Sequence, residues 1–347
     1  METDNTGSNN SVRILAGDIG GTKTRLAIFE VTATELETVV EQSYHSQQHA
    51  TLLEIIEDFL HHHPIAVNAA CFGIAGPVRH NKVSTTNLPW HISARQIAEH
   101  TGIPRVFLLN DLEANAWGIR SLAEDDFFSL QTAAGDPDGN RAIIAAGTGL
   151  GEAGLFHDGV NLLPFATEGG HTDFSPTSEL EIELLRFLQQ RHQHVSWERL
   201  LSGPGLETIH EFLRHFHKVE VPAWLASEML DGDPSAAIAD AAQSQRDEIC
   251  EKSLHLFVHL YGAEAGNLAL KTMASGGLYI GGGIAPKILD AMKSGAFIKA
   301  FLAKGRMQHL LQEMPVQVIL NDKTALYGPA VFAAHKLSAT HQAEQTI

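Results

Sequence analysis

Three segments of this chain join glycine to groups that suit a phosphate: Gly17-Asp18-Ile19-Gly20-Gly21-Thr22, Gly147-Thr148-Gly149-Leu150-Gly151 and Gly281-Gly282-Gly283. Each closes an apolar run of strand character. Glycine there allows positive φ and lets backbone N–H groups come close to an anion. One such turn often does no more than reverse the chain. Three at strand ends, two of them with a threonine, point together to phosphate binding.

Two polar clusters add candidate chemistry. Asn110-Asp111 ends the apolar run Phe107-Leu108-Leu109 and opens a helical stretch. Asp111 can be read as a helix N-cap. It also stands at the carboxyl end of a strand, where open α/β sheets place ligands. An aspartate that accepts a hydroxyl proton is what phosphoryl transfer to a sugar needs, and such base catalysis contributes about 10²–10⁴-fold. The second cluster is Glu168-Gly169-Gly170-His171. Its Glu-x-x-His spacing recurs at Glu207-Thr208-Ile209-His210, a pattern that di-metal bundles carry on helices. Gly169-Gly170 makes the first copy a poor helix, so the di-metal reading is set aside. His255 and His259 lie among Leu254, Phe257, Val258 and Leu260 and read as structural, while His61-His62-His63 reads as surface.

Two well-known phosphate motifs are imitated without being met. Gly17–Thr24 nearly fits a P-loop, which must open a helix. Here Arg25–Phe29 is short and apolar and leads into Val31, so a second strand follows instead. Gly149–Gly154 matches G-x-G-x-x-G, with Asp173 at a plausible ribose-binding distance. Asp158-Gly159 follows almost at once, and that hairpin signal leaves no room for a helix.

The elements that would position these groups alternate in an α/β pattern. Val12–Asp18, Thr24–Val31 and Glu37–Tyr44 read as a meander of strands. Thr51–His62 has helical spacing through Leu52, Leu53, Ile56, Phe59 and Leu60. Ala66–Ile74 and Val106–Leu109 read as buried strands, with a helix near Leu112–Leu122. Arg141–Ala146, Glu152–Phe156 and Val160–Pro164 repeat the opening meander. Glu179–Lys271 is largely helical, and Leu278–Gly281 and Val316–Leu320 return as strands. The pattern implies two α/β halves, each opening with strands joined by a glycine turn, and a cleft between them.

Composition agrees with an enzyme of this kind. The 347 residues suit about two domains. A formal net charge of -17 argues against nucleic acid, which needs a basic face. Two cysteines, Cys71 and Cys250, exclude a disulfide framework or a four-thiolate zinc site and read as buried hydrophobes. No apolar run of about 18 residues predicts a membrane span. Met1–Ser11 is polar and reads as a frayed tail rather than a signal peptide. A cytoplasmic location is expected.

Taken together, Gly17–Thr24, Cys71–Pro77, Leu109–Ala116, Ala146–Gly151, Thr167–Pro176 and Trp197–Leu206 resemble the bacterial ATP-dependent glucokinases, within the actin, Hsp70 and hexokinase superfamily. The resemblance runs from about residue 13 to about 337. It implies two RNase H-like (actin-like ATPase) domains that close over substrate at an interdomain cleft. The small one would hold 12–121 and a returning helix near 324–338, the large one 122–323, with 1–11 as a tail. It implies Asp18, Gly20, Gly21 and Thr22 as a first phosphate loop, with Asp18 holding Mg²⁺ through water. Gly147, Thr148 and Gly149 would form the second loop, and Gly281, Gly282 and Gly283 would lie against adenosine. Glucose would be bound by Asn110, Asp111, Glu168, His171 and Glu198, with Asp111 as catalytic base. Taken alone, Glu198 reads as a surface charge. ATP as phosphoryl donor and a homodimer follow from the resemblance too. The related ROK kinases and repressors carry a cysteine-rich zinc motif and the repressors a helix-turn-helix; this chain has neither pattern, so zinc is not expected. The competing readings are a kinase for mannose, fructose or an N-acetylhexosamine, an actin- or Hsp70-like ATPase, and a sugar sensor.

Overall fold

The computed structural model describes residues 11–32, 35–85 and 88–345, with side chains as far as Ala339. The tail expected at Met1–Ser11 lies, but for Ser11, outside the described residues. The chain divides into two compact units, one of residues 1–123 and 323–347, the other of residues 124–322.

The first unit is built on a five-stranded sheet. Its strands are β1 (Val12–Ile19), β2 (Lys23–Val31), β3 (Leu36–His45), β4 (Ala69–Ile74) and β5 (Val106–Asn110), in the order β3-β2-β1-β4-β5. The meander β1-β2-β3 is antiparallel, while β4 and β5 run parallel to β1. Every residue of β4 is buried, as expected of a parallel strand covered on both faces. On one face the helix Leu52–His62 buries Leu52, Ile55, Ile56 and Phe59 against Leu15, Ile28 and Phe72. Each of these side chains contributes about 1.5–3 kcal/mol by leaving water. Thr51 caps that helix by accepting from the Glu54 N–H, and the Glu54 carboxylate reaches back to the Ala50 N–H. On the other face the helices Asp111–Gly118 and Thr324–Gln345 pack closely on each other over Ala114, Gly118 and Gly328.

The second unit holds a six-stranded sheet: β6 (Phe127–Gln131), β7 (Arg141–Ala146), β8 (Leu150–His157), β9 (Leu162–Ala166), β10 (Gly277–Gly281) and β11 (Val316–Ile319), in the order β9-β8-β7-β10-β11-β6. Its core joins Ala142, Ile144, Leu278, Ile280, Val316 and Val318 to the long helix Glu248–Thr272 through Leu254, Phe257, Val258, Tyr261 and Leu268.

Most strand boundaries differ from the sequence reading by one or two residues, and three larger differences have local reasons. The strand expected from Ala66 begins at Ala69, because Asn68 instead clasps Arg13 through its N–H and its Oδ1. The strand expected at Val160–Pro164 is Leu162–Ala166, because the Asp158 carboxylate accepts from the Val160 and Asn161 N–H groups and holds 158–161 as a turn. The helix expected to reach Leu122 stops at Gly118 and continues as one 3₁₀ turn, Ile119–Ser121.

Among the described residues no helix is long and apolar enough to cross a membrane. Cys71 and Cys250 are both buried, and burial pushes both thiols up, so neither is a ready nucleophile at neutral pH.

Candidate active site

In the first unit the predicted residues collect at one edge of the sheet. The β1–β4–β5 register sets Ile19 beside Ile74 and Ile74 beside Asn110. Asp18 and Asn110-Asp111 therefore stand at the carboxyl ends of parallel strands two spacings apart, roughly 10 Å from backbone to backbone. That edge is where a doubly connected α/β sheet binds ligand.

The Gly20–Thr22 turn is held by a residue that sequence reasoning missed. Ser46, fully buried, donates its hydroxyl to the Gly20 carbonyl at 2.7 Å and its N–H to the Thr22 carbonyl at 2.9 Å. Its hydroxyl also shares a hydrogen bond with buried Thr24 at 3.0 Å. Nothing local in Tyr44–Gln48 announces this role, which arises only when β3 returns alongside β2. Asp18 is half-buried beside this turn, while Thr22 is exposed.

The N-cap of the helix Asp111–Gly118 is Asn110, not Asp111. Asn110 Oδ1 accepts from the Leu112 N–H at 2.9 Å, and its Nδ2 donates to the Gly76 carbonyl at 3.3 Å. Asp111 occupies the first helical position with its Oδ1 3.0 Å from the same N–H. The half-buried carboxylate thus sits at the positive end of a helix, which favours its charged form.

In the second unit another edge collects the remaining residues. β7 and β10 run parallel, with Gly281 beside Ala145, so the Gly147–Gly149 turn and Gly281–Gly283 leave the sheet together. The Ile284 N–H reaches the Ala146 carbonyl at 3.3 Å. Of the proposed phosphate and adenosine glycines, Gly282 alone has positive φ, +83°. The other turns use glycine for close approach rather than for a left-handed backbone. At Gly149 a Cβ would lie 2.5 Å from Glu198 Oε2. The Gly147 N–H bonds the Gly149 carbonyl, and the Gly203 N–H, opening the helix Gly203–His217, donates to the Gly147 carbonyl at 2.9 Å. Ser202 caps that helix and returns its hydroxyl to the Glu198 carbonyl.

Glu198 is not a surface charge. It lies in the 3₁₀ turn Trp197–Arg199, its side chain 33% exposed, and Oε2 accepts from the Leu150 N–H at 3.0 Å. Its other oxygen is 3.8 Å from His171 Nδ1. The pair meets because the Trp197 N–H donates to the Thr172 carbonyl and Asp173 bridges Ser196. Glu168 and His171 bracket the 3₁₀ turn Gly169–His171 with both side chains exposed. His171 and Glu198 also line a cavity of about 380 Å³ with Arg191, His194 and Arg199. A larger cavity of about 820 Å³ among His80, Lys82, Arg95 and Arg105 contains none of the predicted residues.

The second Glu-x-x-His does lie on a helix, and His210, Asp247 and Cys250 bring three possible ligand atoms within 4.8 Å of one another. Arg214 takes that position. Its Nε donates to His210 Nε2 at 3.0 Å and its Nη2 to Asp247 Oδ1 at 2.6 Å. Burial and this guanidinium lower His210 to about 4, so the ring stays neutral and accepts. His259 is likewise tied, 3.4 Å from the buried Glu181 carboxylate.

The glucokinase family model matches residues 15–336. A glucokinase of Nostoc punctiforme is 43% identical over 92% of this chain and 98% of its own. The crystal structure of a glucokinase from an Antarctic psychrotroph superposes with a TM-score of 0.82 at 29% identity, covering 92% of this chain and 98% of that one. A ROK family glucokinase from Streptomyces griseus, crystallised with glucose and AMPPNP, shares the fold at a TM-score of 0.62 and 22% identity, over 92% of this chain and 98% of its own.

Proposed function

The chain belongs to the glucokinase family, and we propose that it transfers the γ-phosphoryl group of Mg-ATP to the 6-hydroxyl of glucose, giving glucose 6-phosphate and ADP. The observation that carries this reading is the half-buried Glu198, bonded to the Leu150 N–H and facing His171. A fixed carboxylate beside an imidazole, with Glu168 on the same turn, offers the converging acceptors and donors that a polyhydroxylated substrate requires.

In this reading Asp111 accepts the proton of the glucose 6-hydroxyl as the oxygen attacks phosphorus. Asn110 spends its Oδ1 on the helix cap and its Nδ2 on the Gly76 carbonyl, so it fixes the strand-to-helix corner that aims Asp111. Glu168, His171 and Glu198 orient the sugar. The backbone amides of Gly20–Thr22 and Gly147–Gly149 bind the phosphates and stabilise the charge that develops on them. Gly281–Gly283 receives the adenosine. The half-buried Asp18 beside the glycine turn would hold a magnesium ion arriving with nucleotide, since such ions are bound through one or two carboxylates. The ion would neutralise phosphate charge; positioning and proton acceptance fall to the chain's own residues.

The test is an assay of ADP release with Mg-ATP, run without sugar and then with glucose, mannose, fructose or N-acetylglucosamine. A large, glucose-selective increase is expected. Equal release with every sugar and with none would overturn the kinase reading.

A further inference from the structure

The sugar-binding turn rests on a buried acid for which the proposed reaction has no use. Glu152, in β8, is 1% exposed. Its carboxyl lies directly beneath Gly169. A Cβ on Gly169 would overlap Glu152 Oε2, so the Glu168–His171 turn can lie on the strand only with glycine at that point. Thr167, which leads into the turn, donates its hydroxyl to the Glu152 carbonyl at 2.9 Å and accepts from the Gly169 N–H at 3.2 Å.

Among the described residues Glu152 Oε1 faces no hydrogen-bond donor. The carboxyl interacts instead with a second carboxyl, that of the fully buried Glu264 on the helix Glu248–Thr272. Two carboxylates cannot both stay charged in such a place, whereas one shared proton turns the orphan oxygen into a donor. Burial pushes both carboxyls up, and Glu264, with donors and a cation of its own, is the member better equipped to remain ionised. It accepts from Asn267 Nδ2 at 2.7 Å and from Lys271 Nζ at 3.2 Å, and Lys304 adds its charge from across Asn267. Of the other titratable groups near Glu152, Tyr261 on the same helix is neutral, and Glu168 and His171 stand on the turn above with exposed side chains. Among the described residues, the group on its turn side that can carry positive charge is His171.

We propose that Glu152 and Glu264 share one proton, and that the neutral Glu152 carboxyl is the positioning residue for the sugar-binding turn. Loss of that proton to solvent places a second negative charge beside Glu264. The lysines lie on the Glu264 side, so relief comes on the Glu152 side, by hydration through the turn. The turn lifts, and Glu168 and His171 lose their setting while Asp111 and the phosphate turns keep theirs. Burial first, and the Glu264 charge second, push Glu152 up to about 8, which places the transition at mildly alkaline pH.

This inference rests on the glucokinase reading, and the experiment separates the two. KM and kcat are measured for glucose, and KM for ATP, from pH 6.5 to 9.5 in the wild type, Glu152→Gln and Glu152→Ala. The wild-type KM for glucose is expected to rise about threefold or more above pH 8 with kcat and the ATP KM little changed, a loss of ground-state binding. Glu152→Gln, neutral at every pH and still able to donate to Glu264, retains the wild-type KM of pH 7 and removes the alkaline rise. Glu152→Ala raises the glucose KM across the whole range. An alkaline rise in Glu152→Gln equal to the wild type's overturns the proposal, as does a normal KM in Glu152→Ala. The pair is also read without substrate, by thermal melting. The fold keeps a proton that the unfolded chain releases above its ordinary carboxyl range, so stability falls as pH rises from about 4.5 to about 8 and then levels. Glu152→Gln flattens that fall. A wild type that phosphorylates no sugar but shows this melting profile sinks the kinase reading and keeps the shared proton. A wild-type kinase whose melting profile equals that of Glu152→Gln does the reverse.

Discussion

The two glycine turns proposed to hold phosphate are alike in sequence, and each is closed by a main-chain bond of its own, but they are braced differently. The Gly20–Thr22 turn, closed by the Gly20 N–H on the Lys23 carbonyl, is strapped from outside its hairpin by one buried serine, whose hydroxyl and N–H reach the Gly20 and Thr22 carbonyls. The Gly147–Gly149 turn is closed by main-chain bonds to itself and to the first residue of the helix Gly203–His217. The residue just beyond it, Leu150, is then tied to the Glu198 carboxylate. In the first unit the turn is braced by Ser46, while the bond described for the proposed base, Asp111, goes to its own helix at the Leu112 N–H. In the second unit Glu198 is at once a support of the turn and a ligand for sugar. Chemistry and scaffold are separable in one region and shared in the other.

The largest expected effect tests the separable side. Asp111→Asn is expected to lower turnover at least about 100-fold, some 2.7 kcal/mol of barrier, with the glucose KM changed by only a few fold. Melting should stay near the wild type, because Asn110 remains the cap and an asparagine at the first helical position still offers an oxygen to the Leu112 N–H. Near-normal turnover would remove Asp111 from the base role. A large drop in melting temperature would show that the first unit also shares its chemistry with its scaffold.

Glu198→Ala comes next and tests the shared side. It leaves the Leu150 N–H unpaired beside Gly149, a cost of about 1–3 kcal/mol in stability. It also removes a sugar ligand, so the glucose KM rises by about tenfold or more. Glu198→Gln restores the acceptor for Leu150 without the charge facing His171, so it should recover melting and leave the KM raised. An alanine variant that melts like the wild type would end the claim that this carboxylate supports the turn.

The different means of support also explain what a linear reading of the chain reaches. Most strands of the two large sheets and the three glycine turns were legible because apolar runs ending in glycine are local signals, whereas β6 (Phe127–Gln131), which ends in no glycine, was not read. Asp111 was legible as a carboxylate at a strand's end, although the cap belongs to Asn110. Glu198 stood out only through family resemblance, since what gives it meaning is the pairing of residues 172–173 with 196–197, and no local pattern encodes that. Glu152 opens a strand that the sequence predicts, and nothing local marks its side chain as buried. Its burial depends on a helix that arrives about a hundred residues later. The spacing that suggested a metal at His210 was real, but Arg214, one turn further along the same helix, fills the place.

Ser46 supplies the smallest expected effect and the sharpest form of the comparison. Its hydroxyl is fully buried and serves two partners, the Gly20 carbonyl and the Thr24 hydroxyl. Ser46→Ala leaves both short of a partner and is expected to cost about 1–3 kcal/mol, read as a lower urea midpoint with unchanged slope. Because Gly20 and Thr22 are the atoms being held, the loosened turn should raise the KM for ATP a few fold. The glucose KM should not move, since the bonds described for Ser46 go to Gly20, Thr22, Thr24 and His49 and not to a sugar ligand. Ser46→Thr keeps the hydroxyl but adds a methyl group where the side chain has no exposed surface, so it should restore the ATP KM only in part. Lower stability with an unchanged ATP KM would mean that the Gly20–Thr22 turn is scaffold alone. The first unit would then contribute Asp18 and Asp111 to the reaction but no phosphate cradle, and the two turns would differ in function as well as in support.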